Sequence, residues 1–137
     1  MSAGLIKTKI ISPDQEIYSG NSEMVVLPGE EGDFAAMFEH APLITYLRAG
    51  KIEVFELDNS DKIVYFVSGG FVKVEDNICM IMVDYIKKFS DIDVKSNEEK
   101  ISQLLNQVDE EKDDSLKSSL LNSIDLLKSE NSFALEH

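Results

Sequence analysis

With a single cysteine, Cys79, the 137-residue chain cannot close an intramolecular disulfide. That residue sits in the apolar run ICMIMV, where a free cysteine packs as a small hydrophobe, so a reactive thiol is not expected. Basic residues are also scarce. Thirteen Lys and Arg stand against 26 Asp and Glu, a formal charge of −13, which repels phosphate backbones and anionic lipid and excludes nucleic acid as a partner. No apolar run approaches the roughly 20 residues that span a bilayer. No basic-then-apolar leader opens the chain, which predicts a cytoplasmic location. The ending Leu135-Glu136-His137 reads as the remnant of a vector-derived tag, which leaves His40 as the one native histidine.

These shortages bear on catalysis. A nucleophile needs a base beside it, yet one imidazole serves the whole chain and no serine lies in a G-x-S-x-G context. A zinc site needs about four nitrogen or sulfur ligands, which one histidine and one cysteine in separate segments do not supply. Glu30, Glu31 and Asp33 could face a hard cation, but they lack EF-hand spacing, and acids beside glycines are usually solvated loop residues. Gly29, Gly32, Gly69 and Gly70 fit neither a P-loop nor a dinucleotide fingerprint. No catalytic residue, metal or cofactor is expected.

What is present changes character near residue 88. Before it, short segments rich in Val, Ile, Phe and Tyr (LIKTKII, EMVVLP, LITYL, KIEVFEL, KIVYFVS, FVKV and ICMIMV) alternate with turn signals such as LDNSDK and VEDNI. Pro13 and Pro28 cap strands or start loops, and Gly69 and Gly70 permit a bend or a close backbone approach. The pattern predicts an antiparallel sandwich or barrel over residues 1–87. After it, Ser96 with Glu99 forms a capping-box signal ahead of Ile101, Leu104, Leu105 and Val108 at helical spacing. DEEKDD reads as a solvated break, and Leu116, Leu120, Leu121, Ile124 and Leu127 mark a second helix from 114 to about 128. Residues 88–134 thus predict an antiparallel two-helix hairpin, and the whole chain an α+β, mainly β, class.

Five segments carry a resemblance: ISPDQEIYSG, MVVLPGEEGDF, HAPLIT, LRAGKIEV and FVSGGFVKV follow the order and spacing of the epsilon subunits of bacterial F-type ATP synthases. Together they cover about residues 10–75, and the helical hairpin extends the likeness over nearly the whole chain. The fold this resemblance implies is a β-sandwich of about ten strands followed by two helices. The implied function is that of a non-catalytic rotor subunit at the foot of the central stalk, coupling proton flow to ATP synthesis. Its implied partners are the gamma subunit, the c-ring and, through the C-terminal helices, the catalytic beta subunits. Membrane association would come only through the complex, on the cytoplasmic face of the bacterial inner membrane.

Residue by residue, the resemblance places Glu31 and Asp33 at the c-ring and Ser12, His40 and Leu43 at gamma. Where the family usually has Pro-Gly before this histidine, the chain has Phe38 and Glu39, so the φ > 0 turn that glycine permits is not expected. Some members bind ATP through a tail motif Ile/Leu-Asp-x-x-Arg-Ala. Ile92 and Asp93 match it, whereas Ser96 and Asn97 replace the arginine and alanine, which predicts weak or absent nucleotide binding. The alternative reading, from another class, is a free-standing β-sandwich binding module with a regulatory helical tail that docks on a basic protein surface.

Overall fold

Alternation decides the first strand. In the computed structural model, which describes residues 4–57 and 61–136, β1 (Ile6–Ile11) buries Ile6, Thr8 and Ile10 fully and turns Lys7 and Lys9 outward. β7 (Gly70–Glu75) and β8 (Ile78–Val83) follow the same period, with Val72, Val74, Cys79, Ile81 and Val83 facing the core. They are joined by Asp76 and Asn77, whose φ angles of 52° and 61° make the two-residue type I′ turn that suits the twist of a hairpin.

β2 (Glu16–Gly29) is 14 residues long and serves two layers. Residues 16–22 pair with β1, residues 24–29 with β3 (Gly32–Met37), and residues 22–26 with β5 (Gly50–Glu56). One layer runs β4 (Leu43–Leu47), β7, β8, β1 and the start of β2. The other runs β3, the end of β2, β5, β6 (Ile63–Val67) and β9 (Ile86–Lys88). Between them Val25, Leu27, Ile52, Val54 and Val67 meet Ile6, Ile10, Val72 and Ile81 in one buried cluster. Among the described residues the sandwich has nine strands, and β1 with β8 is its one parallel pair. Residues 58–60, the middle of the LDNSDK turn, lie outside the described residues.

The chain divides into two compact units, residues 1–90 and 91–137. β9 reaches Lys88, which pairs with Tyr65, so the last strand of the sandwich runs across the composition change at residue 88. In the second unit α1 (Val94–Glu110) is capped three residues before the expected capping residue, Ser96. Asp93 is its N-cap and accepts from the Ser96 N–H at 3.0 Å, which leaves Ser96 inside the first turn. Aspartate caps as well as serine, and the earlier start adds residues 94–96 ahead of the buried Asn97.

The interhelix break is more than solvated. Glu111 Oε1 accepts from the N–H groups of Lys112 and Asp113, and Asp113 Oδ1 from those of Ser115 and Leu116, so carboxylates satisfy the free donors that open α2 (Asp114–Glu136). α2 continues well past residue 128 and includes Leu135 and Glu136 of the supposed tag, while His137 lies outside the described residues. The polar pair Glu130 and Asn131 ends the leucine stripe in sequence, yet both side chains are buried and both accept hydrogen bonds from Asn97 Nδ2, at 3.3 and 3.0 Å. A buried polar cluster therefore fixes α1 against α2.

Candidate functional site

Two apolar faces cannot both meet one core. In β4 the sequence LITYL turns Leu43 toward the core cluster and leaves Ile44 and Tyr46 62% and 65% exposed. Register extends this outer surface across three more strands. Tyr46 lies opposite Phe71, Phe71 opposite Met82 and Met82 beside Ile11, and the Tyr46 and Phe71 rings meet edge-on at 5.9 Å. In the next row Ile44 and Met80 are interleaved with Lys73 and Lys9. At one end the sheet opens into a cleft of about 390 Å³ bounded by Ile11, Ser12, Pro13, Tyr46, Phe71 and Met82. A contiguous apolar face of this kind, on a chain with a charge of −13, is the usual mark of a protein partner.

Of the three residues placed at gamma by resemblance, Ser12 lies on this cleft, its hydroxyl donating to the Gln15 carbonyl at 3.2 Å. Leu43 instead packs inward, and its neighbours Ile44 and Tyr46 take the outer positions. His40 stands apart, half-buried in the turn that links β3 to β4. Its Nδ1 donates to the Ala41 carbonyl at 2.6 Å, and its ring lies 6.2 Å from that of Phe34.

The turn before His40 corrects the expectation drawn from Phe38 and Glu39. Glu39 adopts φ 65°, so the left-handed turn forms without a glycine. The His40 N–H reaches the Met37 carbonyl at 3.0 Å, and the Glu39 N–H reaches Asn77 Oδ1 at 2.6 Å, so the β7–β8 turn holds the strained residue in place.

The acidic segment forms the tip of the β2–β3 hairpin. Gly29 pairs with Gly32 around the two-residue turn Glu30-Glu31, and Gly32 takes φ 137°, a region that glycine alone visits freely. The tip is tethered to the end of β4. The Glu30 N–H bonds the Tyr46 carbonyl and the Arg48 N–H the Pro28 carbonyl, both at 2.9 Å. Arg48 adds its fork: Nη1 donates to the Gly29 carbonyl and Nη2 to Asp33 Oδ1. Asp33 is thus engaged within the molecule, and Glu30 and Glu31 remain exposed.

In the second unit, Asp93 caps α1, so this match to the nucleotide motif carries a local structural role, and Ile92 is half-buried beside it. Asn97, at the position of the motif's alanine, is committed to Glu130 and Asn131. Among the described residues no group of three or more His, Cys, Asp or Glu is arranged to hold a metal, and no helix is long and apolar enough to cross a membrane.

Sequence reading passed over Ile44, Tyr46, Phe71, Met82 and Arg48. Ile44, Tyr46 and Met82 had a signal, since LITYL and ICMIMV are apolar on both faces in a sheet that can bury only one, and Phe71 had a weaker one in standing next to the apolar Val72. Arg48 had none, because its partners lie 15 and 19 residues away.

Comparison with known proteins follows the same outline. The family described as ATP synthase, Delta/Epsilon chain, beta-sandwich domain, matches residues 5–88. The ATP synthase epsilon chain of Gluconacetobacter diazotrophicus is 35% identical over 99 residues, 72% of this chain and 70% of that one. Its counterpart from Parvibaculum lavamentivorans is 34% identical over 119 residues, 87% of this chain and 89% of that one. Among solved structures, a chain of the Euglena gracilis mitochondrial ATP synthase superposes with a TM-score of 0.69 at 19% identity, covering 97% of this chain and 82% of its own. At that identity the superposition speaks for the fold alone. Matched over most of its sandwich by the family and over most of its length by these relatives, the chain belongs to the family of ATP synthase delta and epsilon chains.

Proposed function

We propose that this chain is the epsilon subunit of a proton-translocating F-type ATP synthase, a non-catalytic rotor part that fastens the gamma subunit to the c-ring. In that role it sits on the cytoplasmic face of the bacterial inner membrane and is held there by its protein partners. The observation that carries this reading is the outer face of Ile44, Tyr46, Phe71 and Met82, an apolar surface built on a sheet rather than a pocket built for chemistry. Gamma is the partner assigned to that face, and the acidic tip that carries Glu31 and Asp33 is assigned to the polar loops of the c-ring.

A rotor coupling must transmit force between two partners without yielding. β4 suits this task. Its outward side chains belong to the apolar face, and its last residues hold the acidic tip through the backbone bonds from Glu30 and Arg48. One hydrogen-bonded strand, backed by a close-packed core, therefore connects both surfaces.

Ile44→Lys combined with Tyr46→Lys tests the assignment. Both side chains are exposed, so the fold should survive by circular dichroism, while affinity for purified gamma should fall by more than about tenfold, as for loss of central interface anchors. Unchanged gamma binding would remove the face from the interface. A chain that ignores gamma and captures another basic protein would favour the free-standing binding module.

A further inference from the structure

We propose that Arg48 is a positioning residue that sorts the acids of the β2–β3 tip, keeping Asp33 for the molecule itself and presenting Glu30 and Glu31 to the partner. The inference rests on the assignment of this tip to the c-ring and narrows it to two side chains.

Position and chemistry both lead to Arg48. It follows directly on β4, and its own N–H is fixed by the Pro28 carbonyl at 2.9 Å, so the side chain starts from an anchored backbone. From there the planar guanidinium spans the base of the hairpin, one nitrogen on the Gly29 carbonyl and the other on Asp33. These two acceptors flank the turn on either strand. A single fork that grips both strands fixes the angle at which the turn between them projects.

Stability does not explain the arrangement. The side chains of Arg48 and Asp33 are 48% and 60% exposed, and ion pairs in such surroundings contribute little to folding. The consequence is local. With Asp33 neutralised, the outward charge of the tip rests on Glu30 and Glu31, which occupy the two turn positions and are exposed. Without the fork, Asp33 would join Glu30 and Glu31 as a third free carboxylate within four residues, and their mutual repulsion would loosen the direction in which the two turn side chains point, although the backbone bonds still tether the tip. Electrostatic matching across an interface sets register and rate of encounter, so a defined direction for two charges matters more than a larger undirected charge.

The experiment uses full-length variants and measures two quantities: affinity for a solubilised gamma–c-ring complex, and the amide resonances of Glu30 and Glu31 in the free chain. Arg48→Ala should shift those resonances and weaken binding about fivefold, the order set by an exposed charge pair. Arg48→Lys, which keeps the charge but not the fork, should restore part of the loss. Adding Asp33→Asn to Arg48→Ala should weaken binding no further, because both changes break one contact. Losses that add would overturn the proposal by making Asp33 a direct contact, and unmoved resonances would overturn it by showing that Arg48 holds nothing. Glu30→Gln with Glu31→Gln separates the two levels. If that pair leaves affinity unchanged while Arg48→Ala still moves the resonances, the c-ring assignment falls and the fork survives as a local clamp.

Discussion

Tyr18 and Glu39 show how single residues are shaped by neighbours far away in the chain. Tyr18 stands opposite Ile10 and donates its hydroxyl to Glu56 Oε2 at 2.7 Å. It reaches there along the strand over Gly20, where an added Cβ would lie 2.8 Å from the hydroxyl oxygen. Burial first, and then the hydrogen bond to Glu56, push the phenol up from 10.0 to about 12. A folded-state pKa above the unfolded one gives stability that is whole below pH 10.0 and is lost as pH rises through about 12. Urea midpoints should therefore fall between pH 10 and 12 more steeply for the natural chain than for Tyr18→Phe, and equal slopes would count against the assignment. Glu39 bears the opposite kind of constraint. A side chain at φ 65° costs about 1 to 2 kcal/mol, while glycine gives back about 0.4 to 1 kcal/mol through a freer unfolded chain. Glu39→Gly should thus stabilise the sandwich by up to about 1 kcal/mol in chemical unfolding, whereas Glu39→Val should destabilise it.

At the scale of elements, the hairpin joins two helices whose leucines set proximity and whose buried polar side chains set register. Apolar stripes slide past each other at modest cost, but Asn97 can satisfy Glu130 and Asn131 at one alignment only. Asn97→Ala removes the donor shared by Glu130 and Asn131 and should cost about 1 kcal/mol. Hydrogen exchange should quicken most around residues 128–133 of α2 and hardly at all in β7 and β8. Uniform acceleration across both units would show that the cluster does not act on the hairpin in particular. The same residues bear on nucleotides. Asn97 and Asp93 are already committed, and Ser96 offers no guanidinium, so calorimetry should find no ATP binding tighter than about millimolar.

For the whole molecule, the chain divides into two compact units, residues 1–90 and 91–137, with different charge and different surfaces. The first unit has its own buried cluster and both proposed contact surfaces, so a chain ending at Ser90 should fold and bind gamma. The second carries five lysines against twelve acids between residues 89 and 137, and α2 offers only Lys117 and Lys128. A tail with this excess of acids is repelled by any acidic surface of the catalytic subunits, which disfavours an inhibitory contact there. Removing residues 91–134 should accordingly leave ATP hydrolysis by the assembled enzyme nearly unchanged. A several-fold rise in rate would show that the tail inhibits despite its charge.

The sequence by itself determined what repeats along the chain. Period-two alternation marked β1, β5 and β7, short runs of apolar residues marked β4, β6 and β8, helical spacing marked α1 and α2, and the shortage of histidine, cysteine and basic residues turned the reading from catalysis toward docking. It passed over β3, β9 and the start of β2, because GDFAAM, IKK and EIYSGNS owe their pairing to neighbours rather than to their own pattern. Only the tertiary structure decided what depends on register. LITYL is apolar on both faces, and pairing with β7 chose Leu43 for the core and Ile44 with Tyr46 for the surface. The Arg48 fork, the turn at Glu39 and the cluster of Asn97 with Asn131 join positions 15, 38 and 34 residues apart. Local periodicity carries no information about such meetings, since it fixes the direction of each side chain relative to its own strand or helix and leaves open which distant residue will stand opposite.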